Sequence, residues 1–220
     1  MTTENGLVQS TVLRWREGSG VAGQEPERRT TFVAKLAARW VPGGRAALVP
    51  PDPLVAYDER TTDPQRVGKA GELAPILPCA ALLVAGAARV TIAGPLGPRV
   101  IESGAAVGVG ISMAAATRAR FAPAAPTRGD DGLLVIPPTL DARFFHAAPE
   151  QQHLPLLRGS ESLTIETAQT RLETSLPGMV VVATVRNDRS EERRLVLAID
   201  MLVVDVARAQ MSLVGRASVR

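Results

Sequence analysis

Glycine and proline interrupt this chain too often for a helical bundle. Nineteen glycines and 17 prolines stand among 220 residues, about one position in six, against roughly 12% in average usage. Glycine costs about 0.8–1 kcal/mol at each helix-interior position, and proline about 3 kcal/mol. Such punctuation favours short strands joined by many turns. Between the breaks the apolar residues are mostly Val, Leu, Ile and Ala, because hydrophobic residues make up 45% of the chain and aromatics only 3%. A chain of this length hides roughly 70% of its unfolded surface, so a core forms without disulfide or metal staples. Wholesale disorder is excluded, since charged residues are 21%, inside the globular range.

The strand signals are explicit. Thr11–Arg16 alternates in part, and Thr31–Trp40 alternates Thr, Val, Lys, Ala, Arg against Phe, Ala, Leu, Ala, Trp. Val41-Pro42-Gly43-Gly44 then turns the chain and Arg45–Val49 returns, a hairpin signature. Pro50–Val67 reads as a loop. Ala80–Val90 reads as one buried strand, extended by Val90–Ala93 to a turn at Gly94–Pro98, with Arg99–Glu102 returning. Gly104–Thr117 is rich in Gly, Ala and Val, its second half suiting a helical turn, and Phe121–Asp131 is the least structured interior piece. Further strands are expected at Ser162–Thr167, Thr170–Leu176, Val180–Arg186, Arg194–Leu202, Val203–Val206 and Gln210–Ala217. Turns recurring every 8–12 residues suit a sandwich or meander. The expected fold is mainly β: an antiparallel β-sandwich-like single domain over residues 1–220 with long Pro/Gly-rich loops. N-terminal strands occupy 7–103, a Gly/Ala/Pro-rich connector 104–138, and C-terminal strands 139–220.

The charge pattern argues against nucleic acid. Twenty-five Lys and Arg face 22 Asp and Glu, for a net charge of +3. Only Lys35 and Lys69 are lysines, and acids are interleaved with the arginines, as in Glu191-Glu192-Arg193-Arg194. A nucleic-acid binder clusters its bases on one element. The first six residues carry no basic or strongly apolar leader, and the longest apolar stretch, Ile76–Ala88, contains Pro78 and stops at Arg89. That is well short of the ~20 residues of a membrane span, so a soluble, cytoplasmic protein without membrane attachment is expected.

Candidate chemistry is sparse. Cys79 is the one cysteine and sits in an apolar run, where a thiol acts as a small buried hydrophobe. His146 and His153 are seven apart with Pro149 between them, a spacing that suits neither a helical nor a strand metal pair, so no metal site is expected. Gly110-Ile111-Ser112-Met113-Ala114 partly follows the nucleophile-elbow pattern, with Asp141 and His146 downstream in hydrolase order. A serine hydrolase using Ser112 is therefore one alternative. A carbohydrate-binding sandwich stacking sugars on Trp15, Trp40 and Tyr57 is another, although so few aromatics also suit core anchors. No segment supplies nucleophile, base and oxyanion hole together, so the chain reads as non-enzymatic, acting through surfaces without a cofactor.

Several segments in order resemble an accessory family of bacterial type VI secretion systems, domain of unknown function 2169. Phe32–Trp40 is similar to its opening lysine-bearing strand. Gly71-Glu72-Leu73-Ala74-Pro75 through Ala88 is similar to its second motif, with Leu77 and Ala81 where the family carries lysine and aspartate. Leu140-Asp141-Ala142-Arg143-Phe144-Phe145-His146-Ala147-Ala148-Pro149-Glu150-Gln151-Gln152 is the most specific match. Leu157-Arg158-Gly159-Ser160-Glu161, Ser175-Leu176-Pro177-Gly178 and Ile199–Asp205 resemble its later motifs. The family's Gly/Trp/Asn-rich centre is replaced here, between about Glu102 and Leu133, by the Ala/Gly run. The resemblance implies a cytoplasmic adaptor or chaperone that holds a secreted effector and helps load it on the VgrG/PAAR spike. Its expected partner contacts are Asp141, Arg143, Phe144, Phe145, His146, Pro149 and Gln152. Phe144 and Phe145 suit locking that turn into the core better than binding, since buried aromatics are the commoner case, and Asp141 suits capping it.

Overall fold

The structure, a computed structural model of the chain, describes residues 7–18, 27–40, 46–54, 72, 74, 75, 77–103, 126–140, 145, 152–185 and 191–219. Among these no α-helix occurs, and 14 strands form two packed sheets. The strands are β1 (Val8–Glu17), β2 (Arg28–Arg39), β3 (Ala47–Val49), β4 (Ala80–Ala85), β5 (Ala88–Gly94), β6 (Gly97–Ser103), β7 (Thr127–Arg128), β8 (Leu134–Ile136), β9 (His153–Leu154), β10 (Ser162–Glu166), β11 (Arg171–Ser175), β12 (Met179–Val185), β13 (Glu191–Asp205) and β14 (Gln210–Val219). The large sheet runs β7-β8-β1-β2-β14-β13-β4-β9, with β3 beside β2 and β12 beside β13. The small sheet runs β11-β10-β5-β6.

This is the β-sandwich-like architecture that the alternation predicts. In β5 the buried positions are Ala88, Val90 and Ile92, and in β10 they are Leu163 and Ile165. These side chains meet Ala34, Ala38, Leu82, Val84, Leu202, Val204, Met211 and Leu213 of the large sheet in one apolar core. Two facing apolar sheets remove each other's inner surfaces from water, at about 25 cal/mol per Å2 buried. Most pairings are antiparallel, but β1–β8 and β13–β4 are parallel. The β2–β3 hairpin is present as expected.

Three local expectations need correction. The Ala80–Val90 run is two strands in different sheets, not one. Gly86 takes a φ of +106°, which an L side chain rarely adopts, and there the chain leaves the large sheet for the small one. A Cβ at Gly86 would also lie 2.8 Å from the Val206 Cβ. Conversely, Arg194–Leu202 and Val203–Val206 are one strand, β13. Neither glycine nor proline interrupts it, and a register shift between Ile199 and Met201 makes Asp200 an extra residue in the ladder. Finally, the 104–138 connector contributes the short strands β7 and β8, and β8 adds to β1 through Trp15–Leu134 pairing. Residues 104–125 lie outside the described part, and so does the expected helical turn at Met113–Ala116.

The large sheet is buried on its other face as well. There Trp15, Ala74, Leu77, Ile136 and Phe145 form a second apolar cluster, and Val33, Met201 and Val214 a third. Residues around Glu72–Leu77 cover strands β2 and β14, and the Leu54 amide donates to Gln9 Oε1 on β1. This double coverage explains why β14 is buried at successive positions, from Leu213 through Arg216, instead of alternating.

Candidate functional site

Two assemblies of side chains stand out, one buried and one at the surface. The buried one lies on the outer face of the large sheet. Lys35 from β2 and Arg216 from β14 are charged residues buried on that face, only 4% and 6% exposed. Lys35 Nζ donates to Glu72 Oε1 at 2.8 Å. Arg216 donates through Nε to the Ala74 carbonyl at 2.8 Å and through Nη2 to the Glu72 carbonyl at 2.6 Å. Its Nη1 donates to Asp200 Oδ1, which the β13 bulge places opposite it. Thr31 Oγ1 donates to the Pro75 carbonyl at 2.8 Å and accepts from Trp15 Nε1 at 3.0 Å. Burial pushes the Asp200 carboxyl up to about 6, while the charge and hydrogen bond of Arg216 and a backbone N–H act against that rise. Three of these donor groups end on the backbone carbonyls of Glu72, Ala74 and Pro75, and Lys35 ends on the Glu72 carboxylate, so the arrangement is a clamp that fixes this segment across β2, β14 and β13. Buried charges require such partners. Lys35, Glu72 and Asp200 come from three separate segments of the resemblance, and the fold brings them together.

The surface assembly is a groove of about 450 Å3 where the β5–β6 turn meets the Leu154–Glu161 segment. Its floor includes Ile92, Leu154 and Leu157. Leu157 is fixed by reciprocal backbone hydrogen bonds to Ile199, each 2.9 Å. Leu96 and Leu156 border the groove and are 77% and 37% exposed. Arg99 on β6 and Arg158 also line it. Both arginines are exposed, and neither guanidinium has an ion-pair partner among the described residues.

Glu161 shapes one wall of this groove. Its carboxylate accepts backbone N–H bonds from Arg158 at 2.8 Å, Gly159 at 2.8 Å and Ser160 at 3.0 Å. Burial raises its pKa, but the backbone N–H groups of residues 158–161 outweigh that and hold the carboxyl below its usual value. Its negative charge is therefore committed to its own loop. Gly159 has a φ of +80°, and a Cβ there would lie 2.6 Å from the Pro177 carbonyl oxygen and overlap the backbone of Gly178. The Leu157–Glu161 and Ser175–Gly178 motifs thus pack against each other, and the Leu176 amide donates to the Glu161 carbonyl at 2.8 Å.

The residues singled out in the sequence fare differently. Phe145 is fully buried against the second cluster, so its place is in the core and not on a contact surface. Gln152 is half-buried beside β9, with a buried Oε1 that meets no hydrogen-bond partner among the described residues. Asp141, Arg143, Phe144, His146 and Pro149 lie outside the described residues, as do Ser112 and Tyr57. Trp15 and Trp40 are 1% and 3% exposed, which removes them from any sugar-stacking platform. His153 is a half-buried strand residue paired with Ala81, and Cys79 is half-buried, not fully buried. Among the described residues no three of His, Cys, Asp and Glu gather as metal ligands would, and no helix is long and apolar enough to cross a membrane. Sequence reasoning missed both assemblies. The clamp had a signal, namely single charges inside apolar strands: Lys35 within Phe32–Ala38, Asp200 between Ile199 and Met201, Arg216 after Leu213-Val214-Gly215.

Residues 95–216, a little over half of the chain, match a family described as an uncharacterized protein conserved in bacteria, DUF2169. The chain belongs to this family. The match begins at the β5–β6 turn and runs into β14, so the groove residues Leu96, Arg99, Leu154–Arg158 and Glu161 all fall inside it. The first two segments of the resemblance, Phe32–Trp40 and Gly71–Ala88, precede it. No curated protein and no solved structure matches this chain.

Proposed function

We propose that this chain is a non-enzymatic adaptor, a chaperone-like accessory of a bacterial type VI secretion system that binds an effector and helps load it on the VgrG/PAAR spike. The observation that carries the protein-binding part is the groove: an apolar floor, exposed leucines at its border and two guanidiniums without ion-pair partners among the described residues. Monomeric surfaces keep large apolar groups scattered, and their concentration beside unspent charge marks an interaction site. The clamp supports the same reading, because its charged side chains are spent on holding the chain's own backbone. Family membership and the ordered motifs Leu157–Glu161, Ser175–Gly178 and Ile199–Asp205 support the secretion context. In this reading the protein works in the cytoplasm and carries no cofactor.

Co-expression tests it. The tagged chain, produced with the spike proteins and effector encoded beside it, is expected to co-purify with the effector at low salt. Absence of a complex with each of those proteins refutes the adaptor reading.

A further inference from the structure

The groove also defines the chemistry of what fills it. Arg99 and Arg158 present two positive charges over a floor of Ile92, Leu154 and Leu157, and the acidic group in the lining, Glu161, is already held by three backbone N–H groups. A basic segment would meet uncompensated like charge there. A purely apolar one would leave the guanidiniums unused. We infer that the groove docks an extended polypeptide segment of the bound partner in which carboxylate side chains alternate with large aliphatic ones. This deepens the adaptor reading and rests on it for the identity of the partner.

The fit follows from strand geometry. Successive side chains of an extended segment point to opposite sides, about 3.3 Å apart along the chain. An aliphatic residue directed at the floor therefore has acidic neighbours directed at the rim, where guanidinium binds carboxylate in a two-pronged hydrogen bond. Arg99 lies on β6, which among the described residues has a strand neighbour on one side only, β5. An edge strand offers its main-chain groups to an added strand, so backbone pairing supplies affinity and the groove supplies selectivity. Pro98 at the start of β6 contributes no N–H, which places such pairing beyond it.

Fluorescence anisotropy with a labelled Glu-Leu-Asp-Leu-Glu-Leu peptide, and with versions carrying Gln/Asn or Lys at the acidic positions, tests this directly on the full chain. The acidic peptide is expected to bind at least tenfold more tightly than the Lys version, and to weaken as salt rises. Arg99→Glu combined with Arg158→Glu is expected to lower its affinity at least tenfold, and Leu156→Asp to do so severalfold. Both arginines are exposed, so the far-ultraviolet circular dichroism and the melting temperature should stay unchanged. Arg99→Gln with Arg158→Gln, which removes charge without adding repulsion, serves as the second variant. Equal binding of the acidic and Lys peptides, or an affinity unmoved by either arginine pair, overturns the inference. If the effector still co-purifies with the arginine variants, the adaptor reading stands and this groove is not its docking site. If the acidic peptide binds as described but no effector co-purifies, the groove chemistry stands and the adaptor reading falls.

Discussion

Removing Arg216 tests the buried clamp most sharply. The Arg216→Met variant keeps much of the volume and deletes every donor. It leaves the Ala74 and Glu72 carbonyls without the Arg216 donors and Asp200 without its guanidinium. An unpaired buried acceptor costs about 1–3 kcal/mol, and breaking a buried ion pair on one side costs about 3–5 kcal/mol. These overlap, because Asp200 can take up a proton, so a loss of about 3–5 kcal/mol at pH 7 is expected from a total of about 5–15 kcal/mol. The pH dependence carries the finer test. With its carboxyl raised from 3.8 to about 6 in the folded state, Asp200 contributes stability below pH ~4 that is gone by about pH 6. Deleting Arg216 removes the largest influence that holds this value down, so in the variant the decline continues above pH 6, at up to about 1.4 kcal/mol per pH unit. Asp200→Asn combined with Arg216→Met has no titrating carboxyl at that position and should be flat there, with a total cost well below the sum of the two single changes. Urea unfolding followed by tryptophan fluorescence is a suitable assay, since Trp15 hydrogen-bonds to Thr31 beside the clamp and Trp40 sits in the main core. A single variant within about 1 kcal/mol of the parent at pH 7, or parallel to it from pH 6 to 8, would refute the clamp.

Two further substitutions probe the groove wall. Glu161→Gln is expected to lose about 1–3 kcal/mol at pH 7, because the three N–H bonds divide between both carboxylate oxygens and the amide turns one of those acceptors into an NH2 donor. Since the folded carboxyl lies below its usual 4.5, that contribution is present above pH 4.5 and disappears as pH falls through the lowered value. Denaturation midpoints of parent and variant should therefore converge on acidification, and a gap that persists or widens would be the wrong result. Gly159→Ala places a side chain at a φ of +80° against the Pro177–Gly178 backbone. A loss of about 2–4 kcal/mol, or roughly 5–15 °C in a thermal melt, is expected. An unchanged melt would separate the two motifs in space.

The sequence carried most strand positions because each inward side chain of a two-layer β fold is paired with an outward one. The period-2 pattern of Ala88–Gly94 and Ser162–Glu166 is directly visible. What it did not carry was partnership. The pattern of Ala80–Val90 is the same whether the chain runs straight or crosses between sheets at Gly86, because both arms are buried. Parallel pairing of β4 with β13 and of β1 with β8 leaves no local mark, since the partners lie more than 100 residues apart. The site divided along the same line. Phe145 was conspicuous because aromatics are rare here, and rarity pointed to the core more strongly than to a contact. Arg99 and Arg158 looked like any other arginines among 25 basic residues. Only tertiary structure sets them over Ile92, Leu154 and Leu157.

The strand order also governs how such a chain is made. β14 fits between β2 and β13, and β4 flanks β13 on its far side, so the last of the described strands in chain order is a central one. Until it arrives, β2 has only β1 and the short β3 as neighbours, and its buried face stays open. Folding of the large sheet therefore waits for β14 to be made, with loop-closure entropy spent over spans of more than 170 residues between β2 and β14. The 95–216 stretch alone would lack β1 to β5, among them β4, which pairs with β13, and β2, which carries Lys35 of the clamp, leaving it an aggregation-prone fragment rather than a smaller version of the same protein.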